Sequence, residues 1–298
     1  MTAAARLRQL LSREQMLLAP GAYDCITART IAQAGFNAVY MTGAGTAATL
    51  GYPDYGLLTM SEMVENAGRL AAAVDVPVIA DADTGYGNEL NTTRTVREYE
   101  RRGVAGLHLE DQGFPKKCGH LDNKVIVPLE DYLAKVQAAV AARQNPDFVI
   151  IARTDARAPL GFEEAIRRAN AALAAGADVA FVEAPQSREE VLAVPRLVKG
   201  PCLLNVVWRG KTPDIDFADA ERAGYKLAIV PGLLFKAVIA TCDALLAQLK
   251  AEGRHPTLAS EMTVRDAFRR MGAEEWDEIG QRFRAGGVAG SKPAQAAE

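Results

Sequence analysis

Phe148-Val149-Ile150-Ile151-Ala152-Arg153-Thr154-Asp155 sets five apolar residues directly before a guanidinium, a hydroxyl and a carboxylate. A short run rich in β-branched residues that ends so abruptly reads as a strand buried on both faces, with its polar groups at the C-terminal tip. A guanidinium leaving such a run is costly unless paired, so Arg153 requires an anion. Glu183 or Asp155 can answer it structurally; a substrate carboxylate can answer it functionally, in a bidentate fork.

Working outward, the same pattern recurs until eight candidate strands are found: Met16–Pro20, Asn37–Thr42, Val76–Asp81, Ala105–Glu110, Phe148–Arg153, Val179–Glu183, Pro201–Val206 and Lys226–Val230. Amphipathic stretches such as Ser61–Val74, Glu130–Arg143 and Phe162–Ala175 lie between them, the last closed by Gly176. Parallel strands need crossovers of this length. The expectation is therefore an α/β chain folded as a (β/α)8 barrel. A doubly wound open sheet is the competing arrangement, but no glycine-rich nucleotide turn follows the first strand.

Residues 1–254 are assigned to this barrel. Beyond Lys250 the pattern changes to charged helical segments, Leu258–Met271 and Glu274–Arg284, an extension over 255–284 that packs on the barrel or on a neighbouring subunit. The remainder, 285–298, rich in Gly, Ala and Ser, is expected to be a disordered tail.

The 298 residues are 49% hydrophobic and 24% charged, enough apolar surface for a large core. A net charge of -3 and a pI near 5.8 leave no broad cationic field for nucleic acid or an anionic membrane, so anionic ligands must be held by local groups. No apolar run reaches the roughly 20 residues of a membrane span, and Met1–Leu11 lacks a signal-peptide pattern, so a cytoplasmic location is expected. The cysteines Cys25, Cys118, Cys202 and Cys242 are scattered and suggest neither disulfides nor a zinc site.

In a barrel, the loops leaving the C-terminal strand ends converge on one mouth. The endings here are Thr42-Gly43-Ala44, Asp81-Ala82-Asp83, Glu110-Asp111-Gln112, Arg153-Thr154-Asp155, Glu183 and Asn205. Asp81 and Asp83, two apart on an extended segment, aim their carboxylates the same way and invite a hard cation, magnesium or manganese, with Asp54 and Glu110 completing the outer shell through water. The bland alternative is an N-capping aspartate beside a surface one. Lys116-Lys117-Cys118-Gly119-His120 gathers two cations, a thiol and an imidazole around a flexible glycine. Positive charge there lowers a thiol pKa, and the glycine lets the segment close over a substrate; a solvated basic turn is the ordinary reading. His108 reads as a satisfied core histidine.

With these residues in view, the chain resembles the isocitrate lyase and phosphoenolpyruvate mutase superfamily from about Pro20 to Lys250. The resemblance rests on Tyr40-Met41-Thr42-Gly43-Ala44, Gly51-Tyr52-Pro53-Asp54-Tyr55-Gly56, Asp81-Ala82-Asp83-Thr84-Gly85-Tyr86-Gly87, Glu110-Asp111-Gln112, the cysteine segment, Ile151-Ala152-Arg153-Thr154-Asp155-Ala156 and Lys211-Thr212-Pro213. The cysteine segment is similar to that of the carbon–carbon lyase branch. Gly51–Thr59 with Phe181-Val182-Glu183-Ala184-Pro185 is most similar to 2-alkylmalate lyases, with oxaloacetate hydrolases as near relatives.

The resemblance implies Mg²⁺ on Asp81 and Asp83, with Asp54 and Glu110 holding metal-bound waters and Mn²⁺ as a substitute. Thr42, Gly43 and Ala44 would cradle a substrate carboxylate or oxo group. Asp81, Arg153, Glu183 and Asn205 would orient the hydroxy acid, with Gly119 and His120 closing over it. Tyr40 would act as base near the reacting hydroxyl and Cys118 as the acid. The implied reaction is retro-aldol cleavage of a small 2-hydroxy di- or tricarboxylate to a 2-oxo acid and a carboxylate. Phosphonopyruvate-type chemistry or oxaloacetate hydrolysis on the same scaffold, and a catalytically inactive carboxylate-binding barrel, are the alternatives. The resemblance also implies a homotetramer with exchanged C-terminal helices. One departure bears on substrate range: where the family often carries a glutamate three residues after the asparagine, this chain reads Val206-Val207-Trp208-Arg209, and Lys236 stands where some lyases carry arginine.

Overall fold

The computed structural model describes residues 1–286. Eight parallel strands close in sequence order into a barrel: β1 (Leu17–Ala22), β2 (Val39–Met41), β3 (Val78–Asp81), β4 (Gly106–Glu110), β5 (Val149–Thr154), β6 (Val179–Val182), β7 (Cys202–Asn205) and β8 (Leu227–Val230). The expected strands all appear. The first runs two residues past Pro20, because Gly21 and Ala22 still pair with Tyr40 and Met41 of β2.

Strand periodicity explains what the barrel holds. Alternate residues face inward, so Val149, Ile151 and Arg153 of β5 share one side while Ile150 and Ala152 pack outward on helices. Repeated around the barrel, this makes an apolar interior of Leu17, Ala19, Ile79, Val149, Ile151, Val179, Leu203 and Leu227, among others. The next inward position toward the C-terminal ends is polar. The N-terminal end is stoppered by the helix Ala3–Leu11, whose Leu7 and Leu10 join the interior cluster. Arg8 fastens it, donating to the Asp147 carbonyl at 2.9 Å and to Asp178 Oδ1 at 2.9 Å, beside the starts of β5 and β6.

Helices span Met60–Ala73, Leu129–Ala142 and Phe162–Ala174, within a residue of expectation. The first starts one residue earlier than expected because Thr59 and Glu62 form a reciprocal capping box. A short helix, Gly43–Thr49, follows β2 with Thr42 as its N-cap. By compactness the chain divides into Met1–Ala244 and a second unit from Leu245 on. In the second, Thr263 and Asp266 cap a helix Val264–Arg270, shorter at its start than the expected Leu258–Met271, and another spans Ala273–Gly286. Of the tail expected over 285–298, Ala285 and Gly286 belong to this last helix, and 287–298 lie outside the described residues. No helix among the described residues is long and apolar enough to cross a membrane.

Candidate active site

At the C-terminal end of the barrel, inward positions of six strands or their next residues deliver Tyr40 and Thr42 (β2), Asp81 (β3), His108 and Glu110 (β4), Arg153 (β5), Glu183 (β6) and Asn205 (β7). Register sets their partners. Asp81 lies opposite His108 and Glu110 opposite Arg153, giving His108 Nε2 3.6 Å from Asp81 Oδ1 and Arg153 Nη1 3.1 Å from Glu110 Oε2. Arg153 also forks onto Asp155, Nε to Oδ2 at 2.8 Å and Nη2 to Oδ1 at 3.1 Å. The guanidinium thus has its structural anions, with Asp155 the bidentate one; its centre also lies 5.2 Å from the Phe181 ring. Asn205 Nδ2 donates to both Glu183 oxygens, at 3.1 and 3.2 Å.

These groups surround a cavity of about 480 Å³. Tyr40, Thr42, Ala44, Asp54, Asp81, Arg153, Glu183 and Asn205 form its floor and sides, and Cys118, Gly119 and His120 cover it. Val207, Arg209, Lys211, Phe235 and Lys236 form the remaining wall. Gly43 lies beneath, its N–H donating to Asp81 Oδ2 at 3.2 Å. A Cβ there would sit 2.5 Å from that oxygen, which is why this position carries none.

The cysteine segment is folded down onto the mouth rather than solvated. Gln112 holds Lys117 through both its backbone groups, at 2.8 and 3.0 Å. The Cys118 N–H donates to the Asp54 carbonyl at 3.2 Å, and His120 Nε2 is 3.0 Å from Glu183 Oε1 while its Nδ1 accepts the Lys211 N–H at 3.0 Å. Gly119 fits by having no side chain: a Cβ would fall 2.5 Å from Arg153 Nη2. Lys116 is buried, with Nζ 2.5 Å from Asp54 Oδ1 and 2.7 Å from Asp83 Oδ1.

Three sequence expectations change here. Asp81 and Asp83 do not share a strand face. β3 ends at Asp81 and Asp83 takes a left-handed φ of 46°, its N–H donating to Asp81 Oδ1 at 2.9 Å, so a turn and not strand alternation sets the pair. The Cys118 thiol is not activated by its lysines. Burial pushes it up to about 11 and the nearby Asp54 carboxylate adds to this, leaving a protonated thiol at neutral pH. Tyr40 is buried with its hydroxyl 2.8 Å from His108 Nε2 and 3.4 Å from Asp81 Oδ2; burial and the Asp81 charge hold the phenol well above its ordinary value, so it is a protonated donor. His108 is in the core as expected, but beneath the site and bonded to Tyr40. Burial pushes its pKa down to about 4.

The acids are electrostatically strained. Burial disfavours the Asp81 charge, yet His108 in its charged form, Lys116 and Arg153 outweigh it and the pKa falls. Since His108 is neutral at pH 7, the two permanent cations do this work there. Asp83 goes the other way: burial raises it, the Asp81 and Asp54 carboxylates add to that, and Lys116 only partly compensates. Burial likewise lifts Glu110.

The donor set suits a hard divalent cation. Glu110 Oε1 is buried without a hydrogen-bond donor, and such an oxygen is expensive to leave bare; Glu110 Oε2 and Asp83 Oδ1 meet only the cations Arg153 and Lys116. Among the described residues no group of three or more His, Cys, Asp or Glu side chains is placed to cage a metal unaided. Mg²⁺ asks for less, one or two carboxylates with waters and substrate oxygens making up the rest. Asp81 and Asp83 would be the direct ligands, with Asp54 and Glu110 reached through water.

The family model described as phosphoenolpyruvate phosphomutase matches residues 7–250. The 2,3-dimethylmalate lyase of Eubacterium barkeri is 45% identical over 96% of this chain and 100% of its own length. The 2-methylisocitrate lyase of Aeropyrum pernix is 42% identical over 88% of this chain and 84% of its own. A solved oxaloacetate acetylhydrolase, in complex with the inhibitor 3,3-difluorooxalacetate, superposes with a TM-score of 0.92 at 39% identity, covering 97% of this chain and 99% of that one. With the family motifs placed around one cavity, the chain belongs to the phosphoenolpyruvate mutase/isocitrate lyase superfamily, as one of its carbon–carbon lyases.

Proposed function

We propose that the protein cleaves the C2–C3 bond of a 2-alkylmalate, 2,3-dimethylmalate or a close analogue, to a 2-oxo acid and a second carboxylate, with a divalent cation, Mg²⁺ or in its place Mn²⁺. The observation that carries the reading is that a protonated thiol, Cys118, the acid Asp81 and the cation Arg153 line the same cavity. When bound at Asp81 and Asp83, the cation supplies Lewis acidity toward oxygen on C2.

The chain's own groups divide the rest. Arg153 and Asn205 orient the carboxylate end, and Thr42 with the Gly43–Ala44 turn receives the C1 carboxylate or C2 oxygen. The C2 hydroxyl gives its proton to the Tyr40 oxygen as Tyr40 passes its own to His108 Nε2, 2.8 Å away, in the tautomer that leaves Nε2 unprotonated; the imidazolium so formed is disfavoured by burial and lasts only through the bond cleavage, offset by Asp81 3.6 Å away. Tyr40 is thus a relay and not a free base. As the C2–C3 bond breaks, its electron pair moves onto C3. The Cys118 S–H then protonates C3, completing the second carboxylate product. Gly119 and His120 keep water out during that step.

Among the cations of the remaining wall, the side chains of Leu121, Val207 and Phe235 give an alkyl group apolar surface to meet. Lys236 donates to the Trp208 carbonyl at 2.8 Å and Lys211 pairs with Asp122, which draws both ammonium groups toward the rim. Trp208 is exposed, with Arg209 stacked 5.6 Å from its ring. The test is product release from 2,3-dimethylmalate, 2-methylisocitrate, oxaloacetate and phosphonopyruvate in parallel with Mg²⁺ present. Pyruvate from dimethylmalate at the highest kcat/KM is expected. Preference for oxaloacetate or phosphonopyruvate overturns the assignment, and metal-dependent binding without turnover of any of them would mark a binding barrel.

We further place the protein in the cytoplasm as a homotetramer that exchanges its C-terminal helices. In support, the helix Leu233–Glu252 has no buried residue although Val238, Ile239, Leu246 and Leu249 lie along it, each over 40% exposed. Apolar helix faces of this extent call for a partner.

A further inference from the structure

Within the covering segment, burial runs opposite to residue type. Leu121 and Val125 are exposed, at 40% and 72%, whereas the lysine between them, Lys124, is 7% exposed. A lysine is rarely interred in a surface loop unless its ammonium is fully used. Here Nζ donates to Asp155 Oδ1 at 2.8 Å and to the Gly119 carbonyl at 2.5 Å. Asp155 is the same carboxylate that clamps Arg153 from behind. Its own seat is fixed from the core, its N–H donating to Asp111 Oδ1 at 2.8 Å, while Asp111 Oδ2 accepts from Thr154 and Arg168.

One unbroken chain of contacts therefore runs from the carbonyl next to Cys118, through Lys124 and Asp155, to the guanidinium facing the cavity. Neither Lys124 nor Asp155 lines that cavity, so neither touches substrate. Two other anchors of the segment, Lys116 on Asp54 and His120 on Glu183, grip residues that do line it.

We propose that Lys124 is a positioning residue: it latches the 113–126 segment onto Asp155, and in doing so fixes Gly119, and with it the Cys118 thiol, against the same carboxylate that aims Arg153. The inference rests on the site being the reaction site, and its test does not depend on which substrate is turned over. Seating the thiol-bearing turn and aiming the arginine then occur together, so a substrate carboxylate meets Arg153 in its set position only when Cys118 is in place.

The direct readout is alkylation of Cys118 by iodoacetamide in the native protein, followed by peptide mass spectrometry, in wild type and in Lys124→Met and Lys124→Arg. With the latch lost, Lys124→Met should label at Cys118 roughly tenfold faster or more under conditions where circular dichroism shows it folded, while Lys124→Arg, which keeps the charge, should stay within about threefold of wild type. On the substrate found active, Lys124→Met should lower kcat and raise KM together, and Lys124→Arg should restore most of both. Labelling of Lys124→Met at the wild-type rate overturns the proposal, and so do Met and Arg variants that label equally fast. If Lys124→Met does not fold, the Arg variant decides: slow labelling supports the latch, and labelling as fast as in the urea-unfolded chain overturns it. Slow labelling in wild type with no turnover of any tested substrate would refute the functional assignment while leaving the latch intact.

Discussion

Cys118 and Gly119 do their work through opposite properties, one by the proton it keeps and the other by the atom it lacks. A thiol held near 11 is a proton donor at neutral pH, so Cys118→Ala should cost roughly 10²- to 10⁴-fold in kcat, the usual worth of a positioned acid, with substrate binding preserved in calorimetry. Full activity in that variant would remove Cys118 from the chemistry. Gly119→Ala should be similarly damaging without unfolding the barrel, since its methyl would strike Arg153 Nη2 and the Glu183 side chain at about the same 2.5 Å. A kcat within a few fold of wild type would mean the segment closes differently. Asp155 makes a pH prediction. Burial would raise its pKa, but Arg153 and then Lys124 pull it below the ordinary carboxylate value. Its charge therefore stabilises the native state above the unfolded pKa, and that stability is lost as pH falls through the lower folded one. Urea unfolding at neutral pH and at about pH 3 should show a smaller acid-induced loss in Asp155→Asn than in wild type; equal losses would contradict the pairing.

At the scale of elements, the strand tips were legible because each apolar run stops at a polar residue, and period-two alternation carries Arg153, Glu183 and Asn205 inward with the buried residues before them. Asp83 lies beside Asp81 through a turn and not through strand alternation, since nothing in Asp81-Ala82-Asp83 distinguishes an extended pair from a strand end followed by a left-handed turn. Lys124 was missed entirely, because a lysine among loop residues looks solvated until the fold brings Asp155 beneath it. Lys116 was seen only as a nearby charge, not as the bridge between Asp54 and Asp83. His108 alternates as any core residue would, and its bond to Tyr40 depends on the β2-to-β4 spacing across the barrel, which no local pattern encodes. The stopper helix Ala3–Leu11 also escaped the strand-and-helix rhythm. Its Leu7 is fully buried among interior barrel residues, so Leu7→Ala should cost about 2–5 kcal/mol in urea unfolding, with KM little changed. A cost under about 1 kcal/mol would mean that the barrel floor closes without it.

For the whole molecule, the barrel explains how one chain can gather carboxylates, cations and a thiol from strands far apart in sequence into about 480 Å³. The proposed tetramer is checked by light scattering of the purified protein, where a mass near four times 31.9 kDa is expected and a monomer at all concentrations would reject helix exchange. The claim beneath the rest is that a divalent cation at Asp81 and Asp83 completes this collection of buried charges. It is measured most directly by following pyruvate release from 2,3-dimethylmalate after exhaustive chelation and again after adding Mg²⁺. Activity that vanishes on chelation and returns with Mg²⁺ or Mn²⁺, and that neither ion restores in Asp83→Asn, is the predicted result; undiminished turnover in the chelated enzyme would contradict it.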